Sequence, residues 1–200
     1  MKKTKLLTTL GAVALIGAIG VGSTFAYLTA DTDAVKNTFA VGDIEISLDE
    51  TDITNKTGPR VKENHYTELL PTQIVTKDPQ VHVAANSEES YVFMTVEGVE
   101  YKYGKFVTDE ITSDNVNAKW KYLGKKGEVL VFAYEETVST KAAAAKDLEK
   151  LFTTITVNSS VENDATIDDI VIDAYAIQSY GFSDAKAAAT ELKLLAPQKN

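Results

Sequence analysis

The residues best suited to chemistry are two histidines, His65 and His82, and a dense set of carboxylates. A zinc site needs imidazole or carboxylate ligands that converge on one ion. The His-Glu-x-x-His array that does this on a helix is absent. His65 sits in the loop-like stretch Glu63-Asn64-His65-Tyr66, and His82 sits between Val81 and Val83, on the polar face of a strand. Both read as surface histidines. A zinc site built from the two plus a carboxylate would need the fold to bring them together. Acidic pairs recur at Asp49-Glu50, Glu88-Glu89, Asp109-Glu110, Glu135-Glu136 and Asp168-Asp169. Neighbours on a strand point to opposite faces, so such a pair is not by itself an acid/base couple. Asp31-Thr32-Asp33 resembles a fragment of a calcium loop but lacks the glycine and the distal glutamate. There is no Gly-x-Ser-x-Gly elbow and no phosphate-cradling glycine loop. The chain has no cysteine, which removes thiol catalysis, disulfides and Cys-ligated zinc together. No residue is therefore assigned as catalytic, cofactor-binding or metal-ligating, and no cofactor is expected.

The elements that would carry any site read mostly as strands. Val41–Leu48 alternates, with Ile44, Ile46 and Leu48 inward and Asp43, Glu45 and Ser47 toward water. Gln73–Ala84 is extended but contains Pro79, which removes a backbone donor and predicts a kink, a bulge or an edge. Tyr91–Val96 is apolar on both faces, as a central strand is. Lys119–Leu123 and Glu128–Tyr134 flank Gly124-Lys125-Lys126-Gly127, the pattern of a hairpin. Thr153–Val157 and Ile167–Ile177 add further strands, while polar Glu50–Glu63 with Gly58-Pro59 reads as a surface loop. Two helices are predicted. One is Thr140–Phe152, with four consecutive alanines. The other is 183–195, with Ser183 as N-cap, Ala185, Ala188, Leu192 and Leu195 on one face, and Pro197 as a stop. The fold class is mostly β: a jelly-roll-like antiparallel sandwich of six or seven strands with one or two peripheral helices.

Composition narrows the function classes. The 200 residues are 44% hydrophobic and include nine Tyr and seven Phe, enough for one well-cored domain rather than a disordered chain. The net charge is -9. That argues against nucleic-acid binding, which needs a basic face, and against adhesion to anionic lipid by charge.

The N-terminus has the three-part layout of an export signal. Lys2, Lys3 and Lys5 form a basic start, Leu6–Val21 is apolar, and Gly22-Ser23-Thr24-Phe25-Ala26 ends in small residues. Cleavage is expected between Ala26 and Tyr27, which makes residues 1–26 a signal peptide. An uncleaved signal would be the only membrane attachment. Residues 27–40 then form an N-terminal arm in which Leu28, Val35 and Phe39 are apolar among polar neighbours. Such an arm can fold back as an edge strand of its own domain, 41–200. It can also complete the sheet of a neighbouring molecule, with backbone hydrogen bonds giving affinity and side-chain pockets giving register. Repeated head to tail, that contact does not close and makes a filament.

The residues around this junction resemble a known family. Gly20-Val-Gly-Ser-Thr-Phe-Ala-Tyr-Leu-Thr29 and Asp31-Thr-Asp-Ala-Val-Lys-Asn-Thr-Phe-Ala-Val-Gly-Asp43, with Asn37, Phe39 and Gly42 at recurring places, look like the opening of the TasA/camelysin family. Leu69–Pro79 is similar to a later strand of that family, with Thr72 where glycine is common. Tyr91–Val96, Leu151–Val157 and Ala174–Phe182 resemble others. The resemblance implies a secreted jelly-roll subunit of Gram-positive bacteria, processed by a SipW-type signal peptidase. It implies a subunit of biofilm-matrix or cell-surface fibres that polymerises with itself by donor-strand complementation. Tyr27 to Ala40 would be the donor arm, and Leu28, Val35 and Phe39 would fill the pockets. Camelysin-like members imply a surface metallopeptidase as the alternative; a non-polymerising surface or spore-associated module is a further one.

Overall fold

The computed structural model describes residues 43–162 and 165–197, all within one unit, Val41–Asn200. Among the described residues, twelve short strands form three antiparallel sheets. The first has the order β1 (Ile46–Asp49), β3 (Gln80–Val83), β10 (Lys146–Asp147). The second runs β2 (Ile74–Thr76), β11 (Thr154–Val157), β7 (Ile111–Ser113), β6 (Lys105–Val107), β5 (Glu100–Lys102). The third runs β12 (Val171–Gln178), β4 (Ser90–Glu97), β9 (Val129–Tyr134), β8 (Trp120–Lys126). One helix, α1 (Ala185–Glu191), follows β12.

The double-sided apolarity of Tyr91–Val96 has a direct cause. On one face of β4, Val92, Met94 and Val96 enter the main core, with Leu130, Phe132 and Tyr134 of β9 beside them. On the other face Phe93, with Val131 and Ala133 of β9, is covered by Ala188, Ala189 and Leu195 of the α1 region. The helix thus closes a sheet face that would otherwise meet water. Its N-cap is Asp184, whose carboxylate accepts the Ala187 N–H at 2.8 Å, rather than the expected Ser183. Phe132 lies at the centre of an aromatic cluster, with ring centroids 5.1 Å from Tyr101, 5.5 Å from Phe106 and 5.3 Å from Tyr122.

Several expectations hold and several do not. Pro79 does break the extended run, which divides into β2 and β3 in two different sheets. The alternation of Ile44, Ile46 and Leu48 is present, but the strand itself spans only Ile46–Asp49. The hairpin of β8 and β9 turns at Gly127, not across Gly124 to Gly127, because a bulge between Tyr122 and Gly124 lets β8 run on. The strands β5, β6 and β7 were not expected. Each has only three residues, too few for alternation to stand out.

The helix expected over Thr140–Phe152 is absent. The backbone lies along the edge of β3 instead, with Leu148 N–H on Val81 O at 2.9 Å and Leu151 N–H on Pro79 O at 3.0 Å. Leu148, Leu151 and Phe152 are fully buried in the main core. Alanine propensity is worth a few tenths of a kcal/mol per residue, whereas burying each large side chain is worth about 2 kcal/mol, so tertiary pairing prevails.

Gly98 follows β4 with φ +87°, and a Cβ there would lie 2.3 Å from the Asp169 carbonyl oxygen. Gly98→Ala is expected to cost at least about 1–3 kcal/mol, from a strained backbone plus a clash with backbone that cannot swing away. A urea midpoint within error of wild type would contradict this.

Candidate functional site

Three parts of the chain converge on one groove of about 890 Å³: β1, the segment Lys62–Leu69, and residues Ile167–Ala174 leading into and along β12. Its floor is apolar because it reaches the main core. Ile111 and Ile155, both buried, lie at the bottom. Ile46, Leu48, Ile167, Ile170, Ile172 and Ala174 are only partly buried and pack against the same core. The two strands that flank it each have one pairing partner among the described strands: β1 pairs with β3, and β12 with β4. Each is therefore an edge strand of its sheet, although the end of β1 is covered where Glu50 bridges to Val61 and the Asp49 carbonyl accepts from Arg60. A groove with an apolar floor flanked by two edge strands has the chemistry to accept an extended peptide.

The wall on the β1 side is stiffened by charge. Arg60, the single arginine of the chain, is its hub. Its guanidinium donates to the Asp49 carboxylate at 2.5 Å, the Asp49 carbonyl at 3.1 Å, the Asp78 carboxylate at 3.2 Å and the Asp78 carbonyl at 2.9 Å. The planar fork suits this role because it offers several donors in fixed directions. Asp78 is buried and also receives the Thr51 N–H at 2.7 Å, the Thr51 hydroxyl at 2.7 Å and the Lys150 ammonium at 2.7 Å. Burial pushes its carboxyl pKa up, but the bonds from Lys150, Thr51 and Arg60 outweigh that and bring it down to about 2. For Arg60, burial disfavours the charge, and Asp49 and Asp78 more than restore it.

Glu50, next along the chain after β1, faces a different set. It accepts from the Lys77 ammonium at 2.7 Å, both groups nearly enclosed, and from the Asn64 amide at 3.3 Å. Asn64 also donates to Thr51 O and accepts the Ile53 N–H, which pins the loop to the strand. The Tyr66 hydroxyl donates to Thr76 O at 2.6 Å, and burial together with the charges of Glu50 and Asp78 pushes its pKa up. Asp49 and Glu50 thus bind separate partners on opposite sides of the chain, as adjacent residues on a pleat must.

The two histidines occupy different places. His65 is exposed on the groove wall, with Nε2 3.4 Å from Glu63. His82 is on β3, outside the groove lining, with Nδ1 2.7 Å from Asp147 and Nε2 2.9 Å from Asp49. Among the described residues no group of three His, Asp or Glu side chains is placed to hold a metal ion, and no helix is long and apolar enough to cross a membrane. Ala26, Tyr27, Leu28, Val35 and Phe39, like Asp31 and Asp33, lie outside the described residues. Sequence reasoning missed Arg60, Asp78 and Lys150. The one usable signal was a lone arginine after Gly58-Pro59, in a loop otherwise served by lysine.

No family model, no curated protein and no solved structure matches the chain.

Proposed function

We propose that this chain is an exported structural protein, the subunit of an extracellular matrix or cell-surface fibre. The domain is read as a jelly-roll-like sandwich lacking one strand. Residues 27–40 of one copy supply that strand to the groove of the next. The observation that carries the reading is the groove itself, an apolar floor flanked by the edge strands β1 and β12. The occupant is the stretch of chain that precedes the described residues and leads through Val41-Gly42 toward β1. Its 14 residues from Tyr27 to Ala40 reach at most roughly 45 Å when extended, ample to span to a neighbour. Leu28, Val35 and Phe39 would seat on the isoleucines of the floor. A SipW-type signal peptidase, acting between Ala26 and Tyr27, would free the arm outside the cell. The role is one of assembly rather than catalysis.

The test compares residues 27–200 with 41–200 by electron microscopy and sedimentation. Filaments are expected only with the arm, and Phe39→Asp should reduce elongation far more than it lowers the melting temperature. Identical filaments from the truncated protein would exclude arm donation.

A further inference from the structure

The segment 141–147 contradicts its own sequence. Lys141-Ala-Ala-Ala-Ala-Lys146 is strongly helix-favouring, yet it lies extended or turned, with Ala142 at φ +56° and all four alanines exposed. Alanines in water contribute no burial, so something else holds this strap on the domain. At one end the buried Thr140 hydroxyl donates to Ala84 O at 2.5 Å, and Lys141 bridges to Glu88 at 2.7 Å. At the other end the buried Leu148 fixes the chain. Between them β10 pairs with β3 through only two residues, Lys146 opposite Val83 and Asp147 opposite His82.

His82 is the anchor that can titrate near neutral pH; the Lys146 ammonium over the Tyr134 ring is the other side-chain contact. Its two ring nitrogens face two carboxylates on different strands: Asp147 on β10 and Asp49 on β1. A neutral imidazole has one N–H, so it can satisfy only one of them and must turn a lone pair on the other. An imidazolium donates to both. The charged groups around it are Asp49 from β1, Asp147 from β10 and Arg60 from the loop, itself bonded to Asp49; Lys146 of β10 points to the other face, its ammonium 6.0 Å from the centre of the Tyr134 ring.

We infer that segment 141–147 is a pH-operated latch over the outer edge of β3, closed by a His82 imidazolium that bridges Asp49 and Asp147, and released when His82 loses its proton. Asp49 keeps Arg60 after deprotonation, whereas the largely exposed Asp147 has no second partner among the described residues. The single N–H of the neutral ring stays with Asp49, whose side chain is 24% exposed, because Asp147, 68% exposed, can turn its carboxylate to water; the bond to β10 is the one that gives way, and the groove wall on β1 stays in place. Burial lowers the affinity of His82 for its proton, but Asp147 and Asp49 outweigh this and raise its pKa above the ordinary value. The latch is therefore fully closed below the ordinary histidine value and opens as pH rises through the raised one. Release bares the backbone groups of β3 that β10 covers, an additional edge open to strand pairing.

Amide hydrogen exchange on purified protein, corrected for the intrinsic effect of pH, reads the latch directly. Protection of the paired residues Lys146 and Asp147 is expected to fall roughly tenfold or more across the His82 titration, the size of losing one charge-assisted hydrogen bond. Protection of Ile46–Leu48 should not change. In Asp147→Asn, which alters an exposed residue, the strap should be equally loose on both sides of the transition. NMR of the imidazole should place His82 above the ordinary range in wild type and lower in that variant. Strap protection independent of pH, or His82 titrating at or below the ordinary value, would overturn the latch. Either result leaves the reading of arm donation untouched, because the groove and the arm contain neither His82 nor Asp147.

Discussion

Asp78→Ala is expected to destabilise the domain by about 3–5 kcal/mol, the range seen when one member of a buried ion pair is removed. The side chain is only 3% exposed and neutralises Arg60 and Lys150 while accepting two bonds from Thr51. Its loss leaves Lys150 without that partner and frees the loop that Arg60 ties to β1. The same carboxylate makes stability depend on pH. Its folded value of about 2 lies below the ordinary value of 3.8. Stability from this group is present above the unfolded value and lost as pH falls from there through about 2, amounting to about 2 kcal/mol. Urea midpoints measured from pH 6 down to pH 2 should fall steeply in wild type and less in Asp78→Asn, which has already lost the charge. A cost below about 1 kcal/mol for Asp78→Ala would mean that the network orders the groove wall without stabilising it.

Phe132→Ala should be as severe, about 3–5 kcal/mol, because a fully buried aromatic leaves a cavity its neighbours cannot fill. Three rings, Tyr101, Phe106 and Tyr122, lose their common partner. Against a typical total of about 5–15 kcal/mol, this leaves a marginal domain. Ile111 and Ile155 belong to the same core and form the groove floor. The variant should therefore bind a synthetic peptide of residues 27–40 more weakly as well as melt earlier. Calorimetric unfolding and a peptide titration check the two effects separately. Unchanged stability would mean the site collapses around the missing ring.

Much of the sheet framework was legible because a run of five or more apolar, β-branched and aromatic residues between turn signals favours a strand over a helix. Tyr91–Val96 and Glu128–Tyr134 are the strongest cases, and both lie within the four-stranded sheet. Thr153–Val157 also appears as a strand, and the helix expected over 183–195 appears as the shorter Ala185–Glu191, which holds Ala185 and Ala188 and ends before Leu192 and Leu195. The three-residue strands between Glu100 and Ser113 were not legible, since a short strand borrows its geometry from its neighbours. Thr140–Phe152 misled for a related reason. Local alanine preference was readable, but the pairing of Leu148 with Val81 is set by residues far away in sequence.

The same division separates the candidate site from its parts. Composition and local pattern were enough for the acidic balance, the lack of thiol chemistry, the strand-rich class and an apolar-studded arm after a signal-like start. These depend on residue counts and on neighbours along the chain. The edge positions of β1 and β12 beside a floor of isoleucines emerge only when the strands are assembled. So do the meeting of Arg60 with Asp78 across the loop and the place of His82 between carboxylates on two strands. Those arrangements depend on which strands meet. That is governed by burial summed over the whole core, a quantity no local stretch of sequence contains.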